Sequence, residues 1–416
     1  MLSEKLLTIA FDRAVRRGTL EVTLAKGQRH VFGNGGHPRV AIRFTDRAAQ
    51  RVLCVNPEMN LGELYMDGRL LVEEGSIYDF LQLLLQDTHG ELDELPLRNL
   101  RRIRNWMRLR SENDPRRSRQ NVAHHYDLSG ALYDLFLDSD RQYSCAYFER
   151  PEASLEEAQL TKKRHIAAKL MVEPNQSVLD IGSGWGGLGL YLAQAACAGT
   201  VRGVTLSEEQ LALSRRRAAE AGLSDRVRFE LEDYRSTTGS FDRIVSVGMF
   251  EHVGVASYDA YFETCARLLK QDGVMLLHTI GRTGRPYPTN PWITRYIFPG
   301  GHLPTLSEMM PSIERAGLVT TDVEILRLHY AHTLKAWRER FLARWDEAKS
   351  LYDERFCRMW ECYLAMSESA FRFQDAVVFQ IQLAHRNDVV PITRDYIGQR
   401  EEALREAETR KAQTAA

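Results

Sequence analysis

Gly182, Gly184 and Gly187 close a short apolar run, Ser177-Val-Leu-Asp-Ile181, and open a stretch of helical spacing from Leu188 to Ala196. Glycine has no Cβ, so backbone N–H groups in such a turn can approach a ligand closely, and the positive end of the following helix faces the same ligand. The chemistry this suits is the binding of a nucleotide-containing cofactor. The G-x-G-x-x-G spacing is also that of a dinucleotide turn, which leaves a nicotinamide or flavin enzyme open, as well as a turn that binds nothing. A dinucleotide site needs an acid about twenty residues downstream for the ribose hydroxyl. The second apolar run, Thr200 to Thr205, ends instead in Thr205-Leu-Ser207, and the nearest carboxylate, Glu208, falls in the next helix. That weighs against the dinucleotide.

Three further groups could handle a proton. Glu251 lies in Gly248-Met-Phe-Glu-His-Val-Gly254, His278 in Leu277-His-Thr-Ile280 and Tyr330 in Leu328-His-Tyr330, each after a predicted strand. In open α/β sheets ligands bind beyond the carboxyl ends of the strands, the edge that also holds the glycine turn. Any one of these residues alone suits a structural role; three on one edge point to a site of acid–base chemistry. Cys145, in Tyr143-Ser-Cys-Ala-Tyr147, serves either as a nucleophile or as wall. It has no base beside it in sequence, which makes nucleophilic catalysis the weaker option.

The elements that must position these groups alternate between strand and helix from residue 121 to 390, the pattern of a doubly wound α/β sheet. Further strands are predicted at Val227–Leu231, Phe241–Val247, Val274–Ile280, Val323–Leu328 and Val377–Ala384. A helical insertion, Leu334–Phe371, precedes the last strand and carries Trp337, Phe341, Trp345, Tyr352, Phe356, Trp360 and Tyr363, which either pack a core or line an apolar channel. Residues 1–95 form a small α+β domain: an amphipathic start, extended runs at Thr19–Leu24, Val40–Phe44 and Val52–Val55, and an apolar helix at Tyr78–Leu85. Residues 96–120 are an arginine-rich linker in which Leu97, Leu100, Ile103, Trp106 and Met107 recur at near-helical spacing. This fits a basic amphipathic helix on an anionic membrane or a solvated linker helix; nucleic acid is disfavoured because no reading motif accompanies the charge. Residues 391–416 are a polar C-terminal tail, of which Glu401–Ala416 is expected to be frayed.

With 416 residues, 44% of them hydrophobic, the chain can build two or three domains with real cores. Its net charge of −1 decides nothing about partners, since the arginines are concentrated in one segment. Six cysteines without a C-x-x-C pair or a zinc-spaced histidine fit a reducing compartment and imply no metal. The N-terminal stretch carries charges within its apolar run and lacks a signal-peptide core, and no apolar run is long enough to span a bilayer. A cytoplasmic protein with at most peripheral membrane contact is expected.

Six segments together resemble the cyclopropane-fatty-acyl-phospholipid synthase family. They are Asn121-Val-Ala-His-His-Tyr-Asp-Leu128, Tyr143-Ser-Cys-Ala-Tyr-Phe148, the glycine turn with Trp185, Gly203-Val-Thr-Leu-Ser207, Asp242 to Gly254, and Leu277-His-Thr-Ile-Gly281. The family's members are S-adenosylmethionine-dependent enzymes related to the mycolic acid cyclopropane synthases. The resemblance spans residues 121 to 386, with a weaker match to the bacterial synthases' smaller N-terminal domain. It implies a methyltransferase-type sheet of seven strands, the last antiparallel, and transfer of a methylene unit to a cis double bond of phospholipid acyl chains.

An alkene is a weak nucleophile and needs a strong electrophile held in line and dry; the resulting cation is stabilised by aromatic faces, for which Tyr143, Tyr147, Phe250 and the insertion aromatics are candidates. The resemblance implies that the proton then leaves to a bound bicarbonate. Its cradle would be Cys145, Glu251, His278, Tyr330 and the backbone of Ile280, with His125 a further member. The implied cofactor contacts are Tyr143, Ser144, Asp180, Gly182, Gly184, Thr205, Leu206, Gln210 and Asp233, the last facing the adenine. Ser183 stands where the bacterial synthases usually carry Cys, and Ser129-Gly130 replaces their Gly-Asn. The implied partner is a bilayer of unsaturated phospholipid, touched peripherally at the inner face of the membrane; a homodimer is left open. The rival readings are a lipid C-methyltransferase giving a methyl-branched chain and a non-catalytic lipid-binding scaffold.

Overall fold

The computed structural model describes residues 2–87 and 129–415. The arginine-rich linker 96–120 and the segment 121–128, with His125, lie outside the described residues.

The N-terminal unit has four strands, β1 (Thr19–Thr23), β2 (Arg29–Gly33), β3 (Arg39–Phe44) and β4 (Leu70–Glu74), in the order β2-β1-β3-β4. The strand β3 shows the alternation that predicts it: Val40, Ile42 and Phe44 are buried and the residues between them are not. Only Phe32 of β2 and Leu70 of β4 are buried, so these two strands carry no alternation to betray them. Val52–Val55, expected to be extended, is the end of the helix Arg47–Val55. Asp46 caps that helix by accepting from the Ala49 N–H at 2.8 Å and is itself held by Arg69, and this local cap overrides the strand propensity of the valines.

The larger sheet has seven strands: β5 (Ser177–Ile181), β6 (Thr200–Thr205), β7 (Val227–Leu231), β8 (Phe241–Val247), β9 (Leu269–Arg282), β10 (Val319–Leu326) and β11 (Ala376–Ala384). Their order is β10-β11-β9-β8-β5-β6-β7, with β11 antiparallel to both neighbours, the expected methyltransferase-type sheet. Interior strands are covered on both faces and therefore read as unbroken apolar runs; all nine residues of β11 are buried. The chain leaves β5 toward β6 on one side, while β8 leads to β9 on the other. That reversal opens a crevice beyond the carboxyl ends of β5 and β8.

β10 ends at Leu326, opposite Val378 near the start of β11. Tyr330, expected at a strand end, therefore sits in the first turn of the helix His329–Ala343. The insertion is three helices, His329–Ala343, Trp345–Leu351 and Glu354–Phe373, because Asp353 caps a new start by accepting from the Phe356 N–H. Trp337, Phe341 and Trp360 are fully buried in a core continuous with the N-terminal unit. The helix Glu354–Phe373 packs on Pro57–Met66 and Ile77–Leu85, the Tyr65 hydroxyl donates to Glu361 at 2.6 Å, and the Arg338 guanidinium pairs with Glu368 over the ring of Tyr78.

Leu155–Leu170 starts at a capping box of Ser154 and Glu157 and buries nearly all its residues, although its sequence reads as a charged surface helix. The tail is not frayed: Asp395–Ala415 is helical and packs on Leu155–Leu170. Glu401 meets His165 Nδ1 at 2.6 Å, and Glu408 accepts from Arg164 and from the Tyr191 hydroxyl, each at 2.6 Å. No helix among the described residues is long and apolar enough to cross a membrane.

Candidate active site

The crevice at the switch point is a cavity walled by the glycine loop, the ends of β6, β7 and β8, and the segment Arg141–Ser144. All nine residues expected to contact the cofactor line it: Tyr143, Ser144, Asp180, Gly182, Gly184, Thr205, Leu206, Gln210 and Asp233. Gly182 has a φ of 80°, and a Cβ there would come within 2.8 Å of Met249; Gly184, at φ 54°, borders open space. The amides of Gly182 and Ser183 both donate to the Val204 carbonyl, which ties the loop to β6. Beyond β6, Thr205 Oγ1 donates to Gln210 Oε1 at 3.0 Å and accepts from the Ser207 N–H, so a short polar turn replaces the dinucleotide acid. Asp233 is held by Arg235 at 2.6 Å. Burial pushes the Asp180 carboxyl up to about 7, with Lys162 opposing, and its Oδ2 is a buried oxygen with no hydrogen-bond partner among the described residues.

The acid–base residues lie behind this cavity, outside its wall. Glu251, in the turn after β8, accepts from the Ile280 N–H at 2.6 Å through Oε1. Its Oε2 is buried with no partner among the described residues, and burial raises the carboxyl to about 7. Burial drives His278 down to about 3, so its imidazole is neutral. It pairs across strands with Gln380, whose Nε2 lies 3.2 Å from Nδ1. With the amide donating, the ring proton sits on Nε2. Cys145 is fully buried and its thiol is pushed up, chiefly by burial, so it is no thiolate nucleophile.

Tyr330 comes from the insertion and packs on Trp337 and Phe371. It meets Trp337 edge-on at 5.7 Å, and Trp337 stacks on Tyr143 at 5.1 Å. One turn further along its helix, Thr333 accepts from the Ala146 N–H beside Cys145. Glu251, Ile280 and His278 thus come from the ends of β8 and β9, while Cys145 and Tyr330 are joined through one helix. Two aromatic candidates are elsewhere. Phe250 packs on Tyr258 and Tyr261 in the core under β8, and Tyr147 is sandwiched between His165 and His329 at 4.3 and 4.7 Å.

Gln159, Lys162 and Gln380 were not anticipated. Gln159 and Lys162 lie on the buried face of Leu155–Leu170, where Gln159, Lys162, His165 and Lys169 form a polar stripe at spacings of three and four. Gln380 and Gln382 interrupt the apolar run of β11 on one face. A regular polar stripe, or paired amides inside a buried strand, is the signal that could have found them.

A buried carboxyl with one unpartnered oxygen, in a turn whose neighbours Met249 and His252 line the cavity, suits acid–base chemistry beside a bound ligand. A family model for mycolic acid cyclopropane synthetase matches residues 113–381, and one for a domain of unknown function matches residues 6–94. The chain is 39% identical over 351 residues to a probable fatty acid methyltransferase of Pseudomonas putida, covering 82% of this chain and 86% of that protein. It is 41% identical over 323 residues to the cyclopropane-fatty-acyl-phospholipid synthase of Escherichia coli strain K12, covering 78% and 82%. The solved structure of mycolic acid cyclopropane synthase CmaA1 complexed with SAH and CTAB superposes with a TM-score of 0.61 at 35% identity, covering 64% of this chain and 97% of that one.

Proposed function

This chain belongs to the mycolic acid cyclopropane synthetase family, and from that premise we propose that it transfers a methylene unit from S-adenosylmethionine to a cis double bond in phospholipid acyl chains. The observation that carries the reading is Glu251, a buried carboxyl with one oxygen fixed by the Ile280 N–H and the other without a partner, directly behind the cavity. S-adenosylmethionine fits the cavity's residues. The unpartnered Asp180 Oδ2 suits an ammonium group, Asp233, Thr205 and Gln210 suit hydroxyl and amine groups of a nucleoside, and the loop at Gly182 and Gly184 gives backbone access beside Tyr143, Ser144 and Leu206. Bound there, it supplies an electrophilic methyl group, which an alkene needs because it is a weak nucleophile.

The protein's own part is to exclude water, hold the acyl chain and take a proton away. Tyr143 in the cavity wall, with Trp337 stacked on it, offers aromatic surface to stabilise positive charge on the chain. We assign Cys145, Glu251, His278, Tyr330 and the backbone of Ile280 to a cradle for a bicarbonate ion; His125 joins this assignment on sequence alone. The orphaned Glu251 Oε2 and the neutral His278 fit such an ion. A bicarbonate there supplies a base beside the cation without exposing a side-chain carboxylate to alkylation. Glu251 orients the ion, and His278 and Tyr330 donate to it. Peripheral docking of the arginine-rich linker and N-terminal unit on the inner face of an anionic membrane belongs to the same reading.

The identity to a probable fatty acid methyltransferase favours a second reading, C-methylation of the acyl chain in the same site with the proton lost elsewhere. Incubating the purified protein with methyl-labelled S-adenosylmethionine and vesicles of unsaturated phospholipid separates the two. Upfield cyclopropane proton signals in the NMR spectrum of the extracted lipid are expected. Labelled lipid without those signals replaces the first reading by the second, and no transfer of label overturns both.

A further inference from the structure

The helix Leu155–Leu170 buries an ammonium group that the chemistry above does not use. Lys162 is 0% exposed, and among the described residues no ion pair engages it. Its Nζ donates to Gln142 Oε1 at 2.6 Å and to Ser144 Oγ at 2.8 Å. One turn earlier, Gln159 Nε2 donates to the backbone carbonyls of the same two residues, at 3.1 and 3.0 Å. Two side chains of one helix thus grip Gln142 and Ser144 by both backbone and side chain. Between the gripped residues lies Tyr143 in the cavity wall, and just beyond them lies Cys145 in the buried cluster.

A buried cation bonded only to neutral groups projects its charge into whatever surrounds it. Its charge acts on Asp138 and Asp140 from the segment before the cavity, Lys163 on its own helix, Cys145, Asp180 at the end of β5 and His278 on β9. For Asp180 it is the one charged group acting among the described residues. We propose that Lys162 is a positioning residue shared by the cavity and the buried residues beyond its wall: with Gln159 it clamps the Gln142–Ser144 segment of that wall, and its charge favours an ionised Asp180, ready for a ligand's ammonium group. This rests on the reading of the cavity as an S-adenosylmethionine site. Burial lowers Lys162 only to about 8, so the ammonium persists at neutral pH.

Calorimetric titration of the full chain with S-adenosylhomocysteine across neutral pH tests this, because the probe keeps the ammonium group and the readout is binding. Wild-type affinity is expected to fall as pH drops through neutrality, where Asp180 takes up its proton. K162M removes both clamp and charge: its midpoint moves up by about one pH unit and its affinity falls roughly tenfold. K162Q keeps a donor for Ser144 without the charge, so it recovers affinity above the midpoint, where Asp180 is ionised in every variant, but leaves the midpoint shifted, and it serves alone if K162M does not fold. D180N binds weakly and without this pH dependence. An unshifted midpoint in either lysine variant, or a wild-type profile in D180N, overturns the proposal. A wild-type protein that does not bind the probe at all overturns the cofactor reading instead.

Discussion

Glu251 is treated differently at its two oxygens: one is fixed by a backbone N–H and the other is left bare in a dry site. A carboxyl in that state is held at a cost to stability. Its folded value, about 7, lies above the ordinary 4.5, so the native state keeps a proton that the unfolded chain releases. Glu251 therefore favours the folded state least at high pH: its effect on stability worsens as pH rises from about 4.5 to about 7 and is constant above. Glu251→Gln is expected to lower label transfer at least about a hundredfold while leaving S-adenosylhomocysteine binding intact, since Glu251 is not in the cavity wall. The same variant should melt at a higher temperature than wild type above pH 7, with the gain disappearing in acid. Loss of ligand binding, or a gain independent of pH, would refute this account.

At the scale of elements, the site depends on the helix Leu155–Leu170, which no apolar stripe announces. Its buried Arg164 and His165 take Glu408 and Glu401 of the C-terminal helix as partners, beside Thr161 and Glu149 for the arginine and Glu324 for the histidine. Glu408 also accepts from the Tyr191 hydroxyl, linking the helix that follows the glycine loop to the same carboxylate. Glu408→Ala removes the short acceptor of a buried guanidinium and of the Tyr191 hydroxyl, and urea denaturation should register a loss of about 2 kcal/mol. Ending the chain before Asp395 is expected to lower the midpoint further and to weaken S-adenosylhomocysteine binding through Lys162. A truncated chain as stable as the full one would show that the tail does not hold this helix.

Over the whole molecule, the N-terminal unit and the helical insertion share one core, so the insertion that presents Tyr330 and Trp337 is braced from outside the catalytic sheet. The Tyr65 hydroxyl donates to Glu361 at 2.6 Å within that interface, where burial has already raised the carboxyl. Tyr65→Phe leaves Glu361 buried without its donor and should cost about 1–3 kcal/mol. Scanning calorimetry is expected to show one transition for wild type, because neither unit can unfold without exposing the other's core. Two well-separated transitions in wild type would mean that the units fold independently.

Residues whose place in the cavity wall follows from local geometry were legible in the sequence. The glycine loop, Thr205, Leu206, Gln210 and Asp233 each follow directly on an apolar run, and the order of those runs sets the sheet edge on which they meet. Glu251 and His278 were legible for the same reason. Tyr330 was legible as a residue but not as to its element, since the end of β10 is set by where β11 begins, some fifty residues later. Lys162, Gln159 and Gln380 were not legible. A polar side chain on a charged helix or in a strand has the same sequence whether it faces water or a partner, and only distant segments folding over it remove the water. The sequence by itself determined the sheet and the cofactor edge, because strand periodicity and glycine turns are local. Tertiary structure alone decided which polar residues became buried, and with them the charge that joins the cavity to the cluster behind it.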